Sequence, residues 1–155
     1  MSELGKAWAE YVAAFAEWQS FWSLTFADRD RTHDVTRYEA EALWRRLVQA
    51  LNTDLFGHHY TRIVGHCYFS YALAFEFQQR GTLHMNALVD RRTNWELANR
   101  LWRQMAGIIK IKTVEDVQGA ARYLSKYVTK GGDVVLYRAQ SMKEPAFRPR
   151  WYLGL

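Results

Sequence analysis

Two runs of alternating side chains, Tyr68 to Gln78 and Leu83 to Val89, constrain this chain more than any other feature. Phe69, Tyr71, Leu73, Phe75 and Phe77 occupy one parity of the first run; Ser70, Ala72, Ala74, Glu76 and Gln78 occupy the other. Successive side chains of a strand point to opposite faces, so the large apolar set faces a core and the small polar set a groove. A slip of one residue would turn every large side chain to water, which fixes the register. Gln79 to Thr82, with Gly81, reads as a short turn. Beyond it Leu83, Met85, Ala87 and Val89 keep the core parity while His84 and Asn86 take the other. The expected hairpin therefore gathers Glu76, His84 and Asn86 on one side.

Other periods surround the hairpin. Leu4, Trp8, Tyr11, Val12, Phe15 and Trp18 recur at helical spacing and predict an amphipathic helix over 3–19. Between Phe21 and Ala27 the period becomes two, the pattern of a strand, and the charged run Asp28 to Asp34 reads as a loop. Thr36-Arg-Tyr-Glu39 has capping-box spacing and opens a helix with a stripe at Tyr38, Ala42, Leu47, Val48 and Leu51, followed by a loop over Asn52 to Thr61. Thr93-Asn-Trp-Glu96 opens another helix, through Leu97, Leu101, Trp102 and Met105, which Gly107 ends. Trp44, Trp95 and Trp102 lie on helical stripes and are expected in the core. Ile108 to Lys112 alternates, with Lys110 and Lys112 opposite Ile109 and Ile111.

A last long helix is expected from Thr113 to the glycines Gly131 and Gly132, with Val117, Ala121, Leu124 and Val128 buried. Beside that stripe Asp116, Ala120, Tyr123, Tyr127 and Lys130 are free to face a groove. Asp133 to Tyr137 is a candidate final strand. Helices and strands in this order, with one hairpin in the middle, predict an α+β fold: a ferredoxin-like or RRM-like antiparallel sheet with helices, preceded by the N-terminal helix.

With 155 residues and 49% hydrophobic content, the chain reads as one globular domain over 1–155, with a core at about 21–132 and a C-terminal extension over 133–155. A formal charge of +5 suits a polyanionic partner. Cys67 is the only cysteine, which excludes an internal disulfide and a multi-cysteine zinc cluster and fits a reducing cytosol. Glu3, Lys6, Glu10 and Glu17 interrupt the apolar positions of the first twenty residues, a pattern of neither signal peptide nor membrane span. A cytoplasmic protein is expected.

The chemistry-bearing residues fall into two groups. Glu76, His84 and Asn86 offer a carboxylate, an imidazole and an amide oxygen, a hard and partly open donor set that suits Mg²⁺ or Mn²⁺ better than zinc. The same residues are also what a solvated hairpin with incidental polar side chains would carry. Tyr123 and Tyr127, four apart, share a helix face, and each precedes a lysine, Lys126 or Lys130, by three residues. A phenol with a pKa of about 10 needs a cation, metal or base nearby to act as a nucleophile. Two amphipathic tyrosines at a core edge, with solvated lysines beside them, is the plainer alternative. Arg80, Lys110 and Lys112 are candidates for backbone phosphates or for ordinary solvated charge.

Together these residues resemble the HUH endonuclease superfamily, in particular the two-tyrosine rolling-circle replication initiators of small phages and plasmids. The resemblance runs from about Phe21 to Gly132 and rests on three motifs: the strand Phe21-Trp-Ser-Leu-Thr-Phe26, Glu76 eight residues before His84, and the helix pattern Tyr123-x-x-Lys126-Tyr127-x-x-Lys130. It implies that Glu76 and His84 hold a Mn²⁺ or Mg²⁺ ion and that Tyr123 and Tyr127 attack single-stranded DNA, forming a 5′-phosphotyrosine link and releasing a 3′-OH. Lys126 and Lys130 would assist at the phosphate. Where the family has a second histidine this chain has Asn86, which implies weaker metal binding, supplemented by Gln78 on the same face.

The implied function is metal-dependent nicking and joining at a replication origin, with a single strand or origin hairpin as partner, in the cytoplasm of a phage or plasmid host. No Gly-x-x-x-x-Gly-Lys-Ser/Thr loop occurs, so any helicase would be a separate protein. The rival readings are a single-strand transposase or plasmid relaxase of the same superfamily, and a non-catalytic single-strand-binding module with this fold.

Overall fold

The computed structural model describes residues 2–27, 34–77 and 83–154. The predicted loop at 28–34, apart from Asp34, and the hairpin turn with Gln78 and Arg80 lie outside the described residues. The chain runs α1 (Glu3–Phe15), β1 (Ser20–Leu24), α2 (Arg37–Phe56), a short α3 (Thr61–Val64), β2 (Tyr71–Phe77), β3 (Leu83–Val89), α4 (Trp95–Met105), β4 (Ile109–Thr113), α5 (Val117–Thr129), β5 (Asp133–Tyr137) and a short α6 (Arg150–Leu153). All strand pairs are antiparallel, in the order β4-β1-β3-β2-β5. The first four strands have the ferredoxin-like order, and β5 extends that sheet along β2.

Helices cover both faces. Trp22, Leu24, Leu73, Phe75 and Met85 point toward α2 and α4, where Trp44, Leu47 and Trp102 complete the larger core. On the opposite face Phe21, Ala72, Ala74 and Leu88 meet Val12 of α1 and Ala121, Leu124 and Tyr127 of α5. The small-residue parity of β2 was expected to border an open groove. Its alanines instead leave room for α1 and α5 to pack directly on the sheet, and only the ends of that face stay open.

Several element boundaries move for identifiable reasons. Helix α1 stops at Phe15, four residues early, and the buried Trp18 folds back to donate its Nε1 proton to the Val12 carbonyl at 2.7 Å. Strand β1 ends at Leu24, and β2 begins at Tyr71 rather than Tyr68. The Thr36–Glu39 capping box forms with both of its hydrogen bonds, but the expected stripe residue Tyr38 is 77% exposed and Ala40 and Trp44 take its place in the core. Helix α2 continues through the predicted loop to Phe56, because the buried Asn52 amide donates to the Val48 carbonyl and accepts from the Tyr68 N–H. Thr113 closes β4 instead of starting α5, whose N-cap is Asp116. Asn94, not Thr93, caps α4, its side chain accepting from the Leu97 N–H at 3.1 Å. Trp44 and Trp102 are buried as expected, whereas Trp95, in the first turn of α4, is 40% exposed.

Candidate functional site

The register places the candidate residues. Glu76 of β2 stands directly opposite His84 of β3. Two residues further along these strands, Lys110, Ser23, Asn86, Ala74 and Val134 form a row across the five strands, and two beyond that Lys112, Phe21, Leu88, Ala72 and Leu136 form the next. Because side chains alternate along every strand, these residues share the face that α1 and α5 cover. Glu76, His84, Asn86, Lys110 and Lys112 thus lie on one surface as the sequence predicts.

Helix α5 crosses this surface. Ala121 and Leu124 are buried against the alanines of β2, and Tyr127, three residues after Leu124, shares their side of the helix and is only 2% exposed. That corrects the expectation that both tyrosines line an open groove. Tyr123 lies on the helix flank, 45% exposed, edge-on to Phe21 at 5.5 Å and to Tyr127 at 5.8 Å between ring centroids. The Lys126 ammonium sits 3.8 Å from the Tyr123 ring centroid and 5.2 Å from that of Tyr127, close enough for cation–π attraction to both. Lys130 is exposed at the C-cap of α5, beyond the tyrosine pair.

The end of α5 is fixed by Gly132. Its N–H donates to the Tyr127 carbonyl at 2.7 Å, and a Cβ there would lie 2.5 Å from that oxygen and 2.9 Å from the Phe75 carbonyl oxygen. Only glycine lets the helix end press onto β2, and this contact seats Tyr127 beside Glu76. The Tyr127 hydroxyl is buried without a hydrogen-bond partner. Burial first, then the neighbouring Tyr123 and Glu76, push its pKa up, because each disfavours a phenolate there.

Glu76, His84 and Asn86 bring three hard or borderline donors to one end of the covered face. Among the described residues no cluster of three or more His, Cys, Asp and Glu occurs, so an ion here would depend on the Asn86 amide or on groups beyond those residues. Asn86 is almost buried and its amide makes no hydrogen bond among the described residues, as an oxygen reserved for a ligand would be. The donor set fits a hard divalent cation better than zinc.

Beside Tyr123 a groove of about 760 Å³ opens between the β1–β4 edge and the start of α5, lined by Phe21, Ser23, Lys112, Val114, Asp116 and Tyr123. Lys112 holds its ammonium 5.6 Å from the Phe21 ring centroid. Ser23 and Phe21 were not singled out from the sequence, although they occupy the same parity of β1. His58 and His59 are exposed on the α2–α3 connection, and His66 bonds the Tyr71 hydroxyl at 3.0 Å on the other face of the sheet.

This is an α+β protein of ferredoxin-like strand order whose helix-covered face ends in a row of polar groups beside a tyrosine pair. The family model for replication-associated protein ORF2 matches residues 19–132, from the approach to β1 through the end of α5, and the chain belongs to that family. Its role is accordingly in replication. No curated protein and no solved structure matches the chain. Among the described residues no helix is long and apolar enough to cross a membrane.

Proposed function

We propose that this protein is a two-tyrosine rolling-circle initiator of the HUH type, which nicks and rejoins single-stranded DNA through a phosphotyrosine intermediate. The observation that carries the reading is the meeting of the Glu76–His84 pair with the Tyr127 phenol under α5, Tyr123 standing next along the helix. Family membership in a replication-associated group supports it.

Glu76, His84 and Asn86 would hold Mn²⁺ or Mg²⁺, with Gln78 as a further donor. When bound, such an ion polarises a phosphate oxygen and offsets the negative charge of the transition state. The residues of the chain do the rest. Tyr123, the phenol that a strand in the groove reaches directly, attacks the phosphorus first. The new bond is P–Oη, the bond that breaks is P–O3′, and the phenol proton is given up as the departing 3′-oxygen takes one. The product is a 5′-phosphotyrosine and a free 3′-OH. Lys126, between the two rings, supports the charged phosphate and the developing phenolate. Tyr127 serves the second transfer, once the first tyrosine is occupied. Lys110 and Lys112 hold backbone phosphates along the β4 edge, and Arg80 and Lys130 add charge at the two ends.

The test is denaturing electrophoresis of the protein with labelled single-stranded DNA from its own replication origin, with Mn²⁺ or with a chelator. A metal-dependent shifted band that disappears in the Tyr123→Phe, Tyr127→Phe double variant is expected. Clear binding without any such band would favour the non-catalytic single-strand-binding module.

A further inference from the structure

A second cleft, of about 700 Å³, lies at the end of the sheet away from Glu76, bounded by Trp18 and Gln19, the turn Arg91–Thr93, the first turn of α4 and Trp151. Thr113 and Val114 line both this cleft and the groove beside Tyr123, so one strand can pass from one into the other.

Three features make the cleft more than a surface dent. Trp95 presents an indole that is 40% exposed, where an apolar ring in contact with water is costly unless something covers it. Thr93 is almost buried, and its hydroxyl has no hydrogen-bond partner, because Asn94 has taken over the helix cap. Arg92 is exposed and uses one Nη to donate to the Tyr152 carbonyl at 2.8 Å, leaving its other donors uncommitted among the described residues. Arg91, by contrast, is occupied by Tyr68, Glu144 and Tyr152. Glu96 also faces the cleft. A carboxylate there disfavours a bare phosphate and suits the exocyclic amine of a base.

We propose that this cleft holds an unpaired base of the DNA strand that occupies the tyrosine groove, stacked on Trp95, with Arg92 at the adjoining phosphate. The proposal rests on the single-strand reading above and deepens it. The strand then runs along the β4 edge from the tyrosines, past Lys112 and over Thr113 and Val114, and the cleft selects the base some nucleotides from the cut. The Thr93 hydroxyl and Glu96 are the groups available to read its polar edge.

The test is fluorescence anisotropy of the whole chain, in chelator, with two labelled mixed-sequence single strands. One is long enough only for the tyrosine groove and the other reaches the cleft. Trp95→Ala should weaken the longer strand on the order of tenfold, the scale of one stacked base, and leave the shorter one unchanged. Trp95→Phe should restore most of the loss, and Arg92→Ala should reproduce part of it with a shallower salt dependence. Lys112→Ala should weaken both strands. If Trp95→Ala binds both lengths like the parent while Lys112→Ala weakens both, the cleft proposal is overturned and the single-strand reading stands. If the parent binds neither length, both fall.

Discussion

The two faces of this sheet are built from the same strands and do opposite things. Toward α2 and α4 the strands send Trp22, Leu73, Phe75 and Met85 into contact with Trp44 and Trp102, all sealed from water. Toward α1 and α5 the same strands send Ala72, Ala74 and Leu88, then Asn86, His84 and Glu76 as the face approaches its open end. The first face buries large apolar area and supplies most of the stabilisation. The second packs more thinly and tolerates a buried, unbonded phenol. A period of two lets adjacent residues of one strand serve these different ends, so stability and chemistry can change independently.

The largest expected contrast is functional. Replacing both Tyr123 and Tyr127 by Phe should abolish the DNA adduct while urea unfolding changes little, and Tyr123→Phe alone should slow the first cleavage more than Tyr127→Phe. Equal effects on adduct and on unfolding would break the division between the faces.

On the other face Trp22→Ala should cost about 3–5 kcal/mol in denaturant unfolding, the range for deleting a buried tryptophan. Gly132→Ala, which drives a Cβ against the carbonyls of Tyr127 and Phe75, should cost about 1–3 kcal/mol and reduce adduct formation as well, because it lifts Tyr127 from β2. Asn86→His should tighten Mn²⁺ binding by calorimetry, by about tenfold if ligand-set changes act here on their usual scale. An unchanged affinity would remove Asn86 from the metal site.

The smallest effect is on pH dependence. The Tyr68 phenol on one face and the Tyr127 phenol on the other are both raised, mainly by burial. Above pH about 10 the unfolded chain loses phenolic protons that the folded chain keeps. Their contribution is therefore intact below that pH and is lost as pH rises further. Tyr127→Phe should flatten part of the alkaline decline in unfolding free energy.

Much of this division is legible in the sequence. Strict alternation from Phe69 to Phe77 specifies the hairpin, and parity alone brings Glu76, His84, Asn86, Lys110 and Lys112 to one face. The Thr36–Glu39 box marks the start of α2 because capping is a local interaction. What escapes is tertiary. Nothing within α5 distinguishes Tyr127 from Tyr123, since their burial depends on how the helix lies across Ala72 and Ala74. Trp95 falls on a helical stripe, but the cap at Asn94 sets the phase of α4 so that its first turn looks outward. The extension of α2 past Asn52 depends on a bond to Tyr68, sixteen residues away, which no local pattern announces.

The most direct test of the account is to identify the residue that carries DNA. The parent protein would be reacted with origin single strand and Mn²⁺, digested, and the nucleotide-bearing peptide sequenced by mass spectrometry. The account predicts the modification on Tyr123 in the parent and on Tyr127 when Tyr123 is replaced by Phe. A modified residue outside α5 would contradict it.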